Sequence, residues 1–332
     1  MKSICYSEDM TLIEAVPNIS EGRNLSILHK LENLLRTCAG ITLLGIDPNP
    51  SANRTVFTFI GSAEAMREAL PKFIASACDW IDMRTQHGAH PRLGAVDVCP
   101  LVPLQDISLA ECAALARQIA RQVSVQIPLP VYLYEAAATT EERRNLAFIR
   151  RGEYESLPEK LHTLPPDFGP KDFSPCVAKT GACVIGARNF LIAFNLNLNT
   201  QDPAPARQIA ARIRQSGGGI EGVKAIGWYM DNFRRAQVSC NITDFQRAPL
   251  HLVYKRAQQE AQKLGLTVTG SELVGLIPLE ALLAVGRHLR PQEKSTATLV
   301  KVAAEKLNLN EVKPFSAQEQ ILQIKAGLEH LT

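Results

Sequence analysis

The amino-acid sequence predicts an α/β protein of the α+β sandwich type, with two halves that are each a mixed β-sheet covered by helices, and a short helical C-terminal tail. Three observations carry that expectation. Apolar residues alternate between strand and helix periods in the order β-α-β-β-α-β-α-β over residues 12–134. A second α/β set follows the proline-rich stretch LHTLPPDFGPKDFSP. The chain, at 332 residues, is long enough for two cores.

Taking the elements in order, residues 12–16 form a short apolar run ended by Pro17-Asn18, and Glu21-Gly22 continues the turn. Asn24 precedes a helical pattern with Ile27, Leu28, Leu31, Leu34 and Leu35 on one face. Residues 41–46 and 54–60 read as neighbouring strands separated by the turn-rich DPNPSAN. Residues 64–81 read as a helix, 95–103 as a strand, and 108–123 as a helix whose Ser108 and Glu111 make a capping box. Residues 131–134 are a further strand. In the second set, residues 182–197 read as extended, 203–215 as a helix stopped by Gly217-Gly218-Gly219, and 223–230 and 237–243 as strands. A helix over 250–264, a short strand at 267–269 and a helix over 279–289 complete it. From Ser295 two short amphipathic helices flank Lys313-Pro314-Phe315, a tail expected to serve packing or dimer contact. The predicted division is residues 1–178, 179–290 and a helical extension over 291–332.

Composition narrows the function classes. A formal net charge of +3, with no basic block, argues against nucleic acid as a partner. No apolar run reaches the ~18 residues needed to span a bilayer. The start, MKSICYSEDMTLIEAV, places acids where a signal peptide needs an apolar core, so a cytoplasmic protein is expected. The eight cysteines are scattered with no CxxC pair, which is reduced-thiol usage and neither a disulfide framework nor a zinc ribbon.

The most chemical stretch is IDMRTQHGAHPRLGAVDVCP, which starts at Ile81. Pro91 directly after His90 forbids a helix and holds the imidazole on an extended corner, with Arg92 two residues on. A group titrating near neutrality beside a fixed cation suits proton transfer on an anionic substrate. Asp47 ends a strand; Asn53-Arg54 starts the next on the same edge; Asn18, Ser20 and Glu21 lie at the corresponding end of the first. If these ends gather at the His90 turn, one rim carries His90, Asp47, Asn18, Arg54 and Arg92. The alternative is a metal site at His87 and His90, but a zinc centre needs a third ligand, and the nearby Asp82 and Asp97 have no telling spacing. Lys179-Thr180-Gly181 and Gly186-Ala187-Arg188 form a second small-residue cluster, in which Gly181 and Gly186 would let a flat ligand approach and Lys179 and Arg188 could meet carboxylates.

Taken together, VPNISEGRN, Asn53-Arg54-Thr55-Val56, the His90 stretch, PVYLYEAA, RRGEYESLPEK, PDFGP, GARNFLIAFNLNLNT and GSELVGLIP resemble, in order and spacing, glutamate formiminotransferase. The resemblance runs from about Leu12 to Leu289. It implies two α/β subdomains with folate in a groove between them, a homodimer, and transfer of a formimino group from N-formimino-L-glutamate to N5 of tetrahydrofolate as co-substrate, without a metal. Because the residues after Leu289 amount to a short tail, a form without the cyclodeaminase domain of some relatives is expected.

By the same resemblance the catalytic histidine is His90 and its assisting aspartate Asp47. The folate loop covers Gly169 through Gly181, with Asn18, Arg54, Arg92, Lys179 and Arg188 as further binding candidates. Two departures stand out: Ala89 and Gln86 replace a glutamate and a histidine common in the family, and Cys176-Val177-Ala178 looks like extra sequence. The residues do not separate formimino from formyl transfer from N-formyl-L-glutamate. A non-catalytic folate-binding relative is the remaining alternative, although it would have no need of the His90 and Asp47 pair.

Overall fold

The computed structural model describes residues 11–231 and 234–332, so most of the segment read for targeting lies outside the described residues. The chain divides into two compact units, the first ending at Asn189 and the second starting at Phe190. The expected boundary at 178/179 falls eleven residues earlier. The extended stretch expected over 182–197 is two strands, Cys183–Ala187 in the first sheet and Ile192–Leu198 in the second.

The first unit is a mixed sheet. Strands β1 (Leu12–Ala15) and β2 (Asn18–Ile19) lie end to end, broken at Val16-Pro17, where proline cannot donate to the ladder. Both pair antiparallel with β4 (Arg54–Gly61) on one side and β5 (Val96–Gln105) on the other. β3 (Ile41–Asn49) extends the sheet beyond β4, whereas β7 (Cys183–Ala187) joins β5 in parallel and β6 (Val131–Glu135) joins β7 in parallel.

Side chains alternate across a sheet, so each strand serves two faces. Phe57 and Phe59 of β4 face the main core, which is closed by α1 (Leu25–Thr37), α2 (Ala63–Trp80) and α3 (Leu109–Gln126). Each helix presents the face its periodicity marks, Leu28, Leu31 and Leu35 in α1 for example. Asn24 caps α1, and the expected Ser108–Glu111 box caps α3; such caps contribute about 1 kcal/mol each. The opposite sheet face carries a smaller core of Val98, Tyr132, Tyr134 and Val184. It is covered by the segment bearing α4 (Leu146–Ile149), α5 (Leu157–Thr163) and α6 (Pro175–Thr180) through Ile149, Leu157, Leu161 and Val177. This second face holds the polar residues of interest.

In the second unit, β8 (Ile192–Leu198), β9 (Val223–Met230), β10 (Arg235–Ile242) and β11 (Val268–Val274) make an antiparallel sheet in the order β11-β8-β10-β9. β11 runs well past the short strand expected at 267–269. Its core packs α7 (Pro203–Ile213), α8 (Leu250–Gln262) and α9 (Leu279–Leu289) on one face. The tail, expected to serve packing or dimer contact, contributes to this core. Leu299, Val300, Ala303 and Ala304 of α10 (Thr296–Lys306) are buried in the same core, and α11 (Ala317–Gln320) and α12 (Leu322–Lys325) follow. Among the described residues no helix is long and apolar enough to cross a membrane.

Candidate active site

The His90 corner is non-helical and pinned from several directions. Asn53, at a positive φ of 47°, accepts from Gly22 N at 3.0 Å and donates to His87 O at 3.0 Å and to the Gln86 side chain. Gln86 in turn donates to Glu21 Oε2 at 2.9 Å, and Ala89 N reaches Ser51 O at 3.3 Å. The Gln86 that departs from the family pattern is therefore a bridge between two neighbouring loops. Ala89 and His87 lie exposed on the turn. Among the described residues no three His, Cys, Asp or Glu side chains come together to hold a metal ion.

His90 itself is half-buried, with Nδ1 2.7 Å from Pro91 O. A carbonyl can only accept, so in the neutral ring Nδ1 carries the proton and Nε2 the lone pair. Burial, with the Arg54 and Arg150 guanidiniums adding to it, holds His90 well below the usual histidine range; Asp97 and the Pro91 carbonyl only partly oppose this. At neutral pH the ring is a neutral base.

Those charges form one cluster. Asp97 of β5 is fully buried and takes Arg54 Nη1 at 2.6 Å and Arg150 Nη2 at 2.6 Å on Oδ2. Its Oδ1 takes Leu93 N at 2.9 Å, three residues after His90. Burial alone would raise the Asp97 carboxyl, but the two guanidiniums outweigh it and hold the group below the ordinary carboxylate value. Arg54 also donates through Nε to Asn18 Oδ1 at 3.0 Å. The register pairs Asp47 with Val56 and Val56 with Asn18, and paired residues share a face. Asp47, Asn18 and Arg54 thus lie on the second face of the sheet.

The sequence reading weighed Asp97 only beside a metal site and passed over Arg150. The available signal was an acid inside an apolar run, Leu93 to Val98, since a charge in such a place needs partners.

Other candidates are placed differently. Arg92 is 8% exposed, and its donors go to Glu155 (2.6 Å), Glu153 (3.4 Å) and Gln86 O (2.9 Å), so it fixes the turn and has no spare fork for a substrate carboxylate. Lys179 donates to Asp79 O at 2.8 Å near the end of α2. Arg188 donates to Asn189 O at 2.9 Å, and its charge acts on buried Glu14. The close approach expected at the glycines is made by the chain itself. A Cβ at Gly181 (φ 67°) would stand 2.4 Å from Leu93 O, and one at Gly169 (φ 85°) 2.1 Å from Leu129 O. Both glycines let backbone pack on backbone.

Comparison with known proteins places the chain in a family. The family model for the formiminotransferase domain, N-terminal subdomain, matches residues 12–188, and that for the formiminotransferase domain matches residues 193–326. The chain is 39% identical over 279 residues to the glutamate formimidoyltransferase of Streptococcus pyogenes, covering 83% of this chain and 92% of that one. To the corresponding protein of Thermoplasma acidophilum it is 38% identical, covering 84% and 92%. It is 41% identical to the rat formimidoyltransferase-cyclodeaminase over 94% of its own length, but spans only 59% of that relative. With both subdomain models matched in succession, the chain belongs to the formiminotransferase family.

Proposed function

We propose that the protein transfers the formimino group of N-formimino-L-glutamate to N5 of tetrahydrofolate, releasing L-glutamate and 5-formiminotetrahydrofolate. The observation that carries the reading is His90, a neutral imidazole with its lone pair on Nε2, set among guanidiniums on a rigid corner. N5 attacks the amidine carbon, and His90 Nε2 removes the N5 proton as the tetrahedral intermediate forms. The imidazolium then returns that proton to the glutamate nitrogen as its bond to carbon breaks. One histidine serves both steps, a contribution of roughly 10²–10⁴-fold; alignment of two substrates supplies much of the remainder.

Asp47 would face the cationic amidine, and Arg54, with Asn18, the substrate carboxylates. Tetrahydrofolate enters as a substrate, and the steps above call on no metal. Family resemblance supports a cytoplasmic homodimer, which light scattering of the purified protein would test.

The test is turnover with formimino-glutamate and tetrahydrofolate, with N-formyl-glutamate as the competing donor. His90→Ala should abolish transfer while folate affinity stays within a few-fold. Full activity of that variant would sink the mechanism, and faster turnover of the formyl donor would reassign the substrate.

A further inference from the structure

The motif RRGEYESLPEK holds a residue that the reaction above does not use. A lysine in the last turn of a short helix is ordinarily solvated, yet Lys160 of α5 is only 7% exposed. Its Nζ donates to Ile149 O at 2.8 Å and to Arg151 O, the two carbonyls that flank Arg150 at the end of α4. Arg150 lies between these clamped peptides and reaches Asp97 with Nη2 at 2.6 Å and Nε at 3.3 Å. Asp97 holds Leu93 N, and with it the chain that leads back to His90.

We propose that Lys160 is a positioning residue for proton transfer at His90: it clamps the chain on both sides of Arg150 and so keeps that guanidinium on Asp97, beside the His90 turn. The role in turnover rests on the formimino-transfer reading; the effect on His90 does not. The charges facing His90 are Arg54 from β4, Arg150 from the end of α4 and Asp97 from β5. On its own turn, Arg92 is paired with Glu153 and Glu155, and Gln86 engages Glu21. Removing the clamp frees Arg150 to leave, and one of the two cations that disfavour the imidazolium goes with it.

The experiment is an NMR titration of ¹³C-histidine-labelled full-length protein, with the His90 signal assigned through His90→Ala, alongside kcat and KM between pH 6 and 8. In Lys160→Met the His90 midpoint should move up toward the ordinary histidine value. kcat should fall by up to about four-fold at pH 6 and recover toward pH 8, since a ring titrating near the ordinary value of ~6.5 is about one-quarter neutral at pH 6, while KM for both substrates stays within about two-fold. Arg150→Met should reproduce the midpoint, and Lys160→Arg, which keeps the donors, should restore the wild-type value. If Lys160→Met does not fold, Lys160→Gln, which keeps one amide donor group, is titrated in its place. A folded Lys160→Met variant, its stand-in Lys160→Gln, or Arg150→Met whose His90 midpoint is unmoved overturns the proposal, whether or not its melting temperature falls. Wild-type protein that shows the midpoint shifts on mutation but no transfer would overturn the functional reading alone.

Discussion

Glu14 offers a test in which the structure sets both sign and size. It lies on β1 with only 5% of its surface exposed, paired in register with Ile60 and Val102. Burial raises its carboxyl from 4.5 to about 7, against the opposing pull of Arg188. Because the folded-state value is the higher one, the folded protein holds this proton more tightly than the unfolded chain between those two values. Its stabilising effect is therefore complete below pH 4.5 and is lost as pH rises through 7. Glu14→Gln keeps the shape and removes the charge, so it should leave stability unchanged near pH 4. The gain should be ~1 kcal/mol at pH 5 and approach ~3 kcal/mol at pH 8, at 1.36 kcal/mol per pH unit. The sequence has two tryptophans, Trp80 in the first unit and Trp228 in the second. Urea unfolding followed by fluorescence in a Trp228→Phe background therefore reports on the unit that contains Glu14. A variant no more stable than its parent at pH 8, or a gain that does not grow between pH 5 and pH 8, would refute the reasoning.

Three further outcomes are expected. Asp97→Asn leaves two buried guanidiniums sharing a neutral amide, and should cost about 3–5 kcal/mol in denaturant unfolding; a loss under 1 kcal/mol would mean that solvent already screens the cluster. Gly181→Ala forces a Cβ against Leu93 O at a left-handed backbone position and should cost roughly 1–3 kcal/mol, visible as a lower melting temperature. Because His90 is held well below the usual histidine range, kcat/KM of the wild type should not fall on acidification through the ordinary histidine value; a clear loss centred there would contradict its environment.

The course of the first unit was legible because its elements carry clean periodicities and end signals. α1 begins after Asn24, α3 after its Ser108–Glu111 box, and the strand edge at Asn53-Arg54 lies where the polar residues interrupt the apolar pattern. What could not be read were pairings over long separation. Arg92 looks like an anion receptor until Glu153 and Glu155, more than sixty residues later, close on it. Gly169 and Gly181 look like ligand approaches because glycine marks closeness without saying to what; here the partner is Leu129 or Leu93 of the same chain. The stretch read as extended after Gly181 changes sheet at Arg188-Asn189, and periodicity has no mark for which sheet a strand joins.

The Arg54–Asp97–Arg150 cluster makes sense only together with His90. A buried ion pair seldom adds net stability, and an apolar replacement of equal volume is often as good. Here one carboxylate is shared by two guanidiniums, which leaves a net positive charge in a buried place and a histidine beside it. For stability alone that surplus is a cost. On the formimino-transfer reading it has two uses: it keeps the imidazole neutral before substrate arrives, and it attracts a substrate with two carboxylates. Once a dicarboxylate is bound, its charge offsets the surplus and the imidazolium becomes easier to form. In that reaction the base would gain affinity for the proton at the stage when it must take one from N5, and lose it again as glutamate departs.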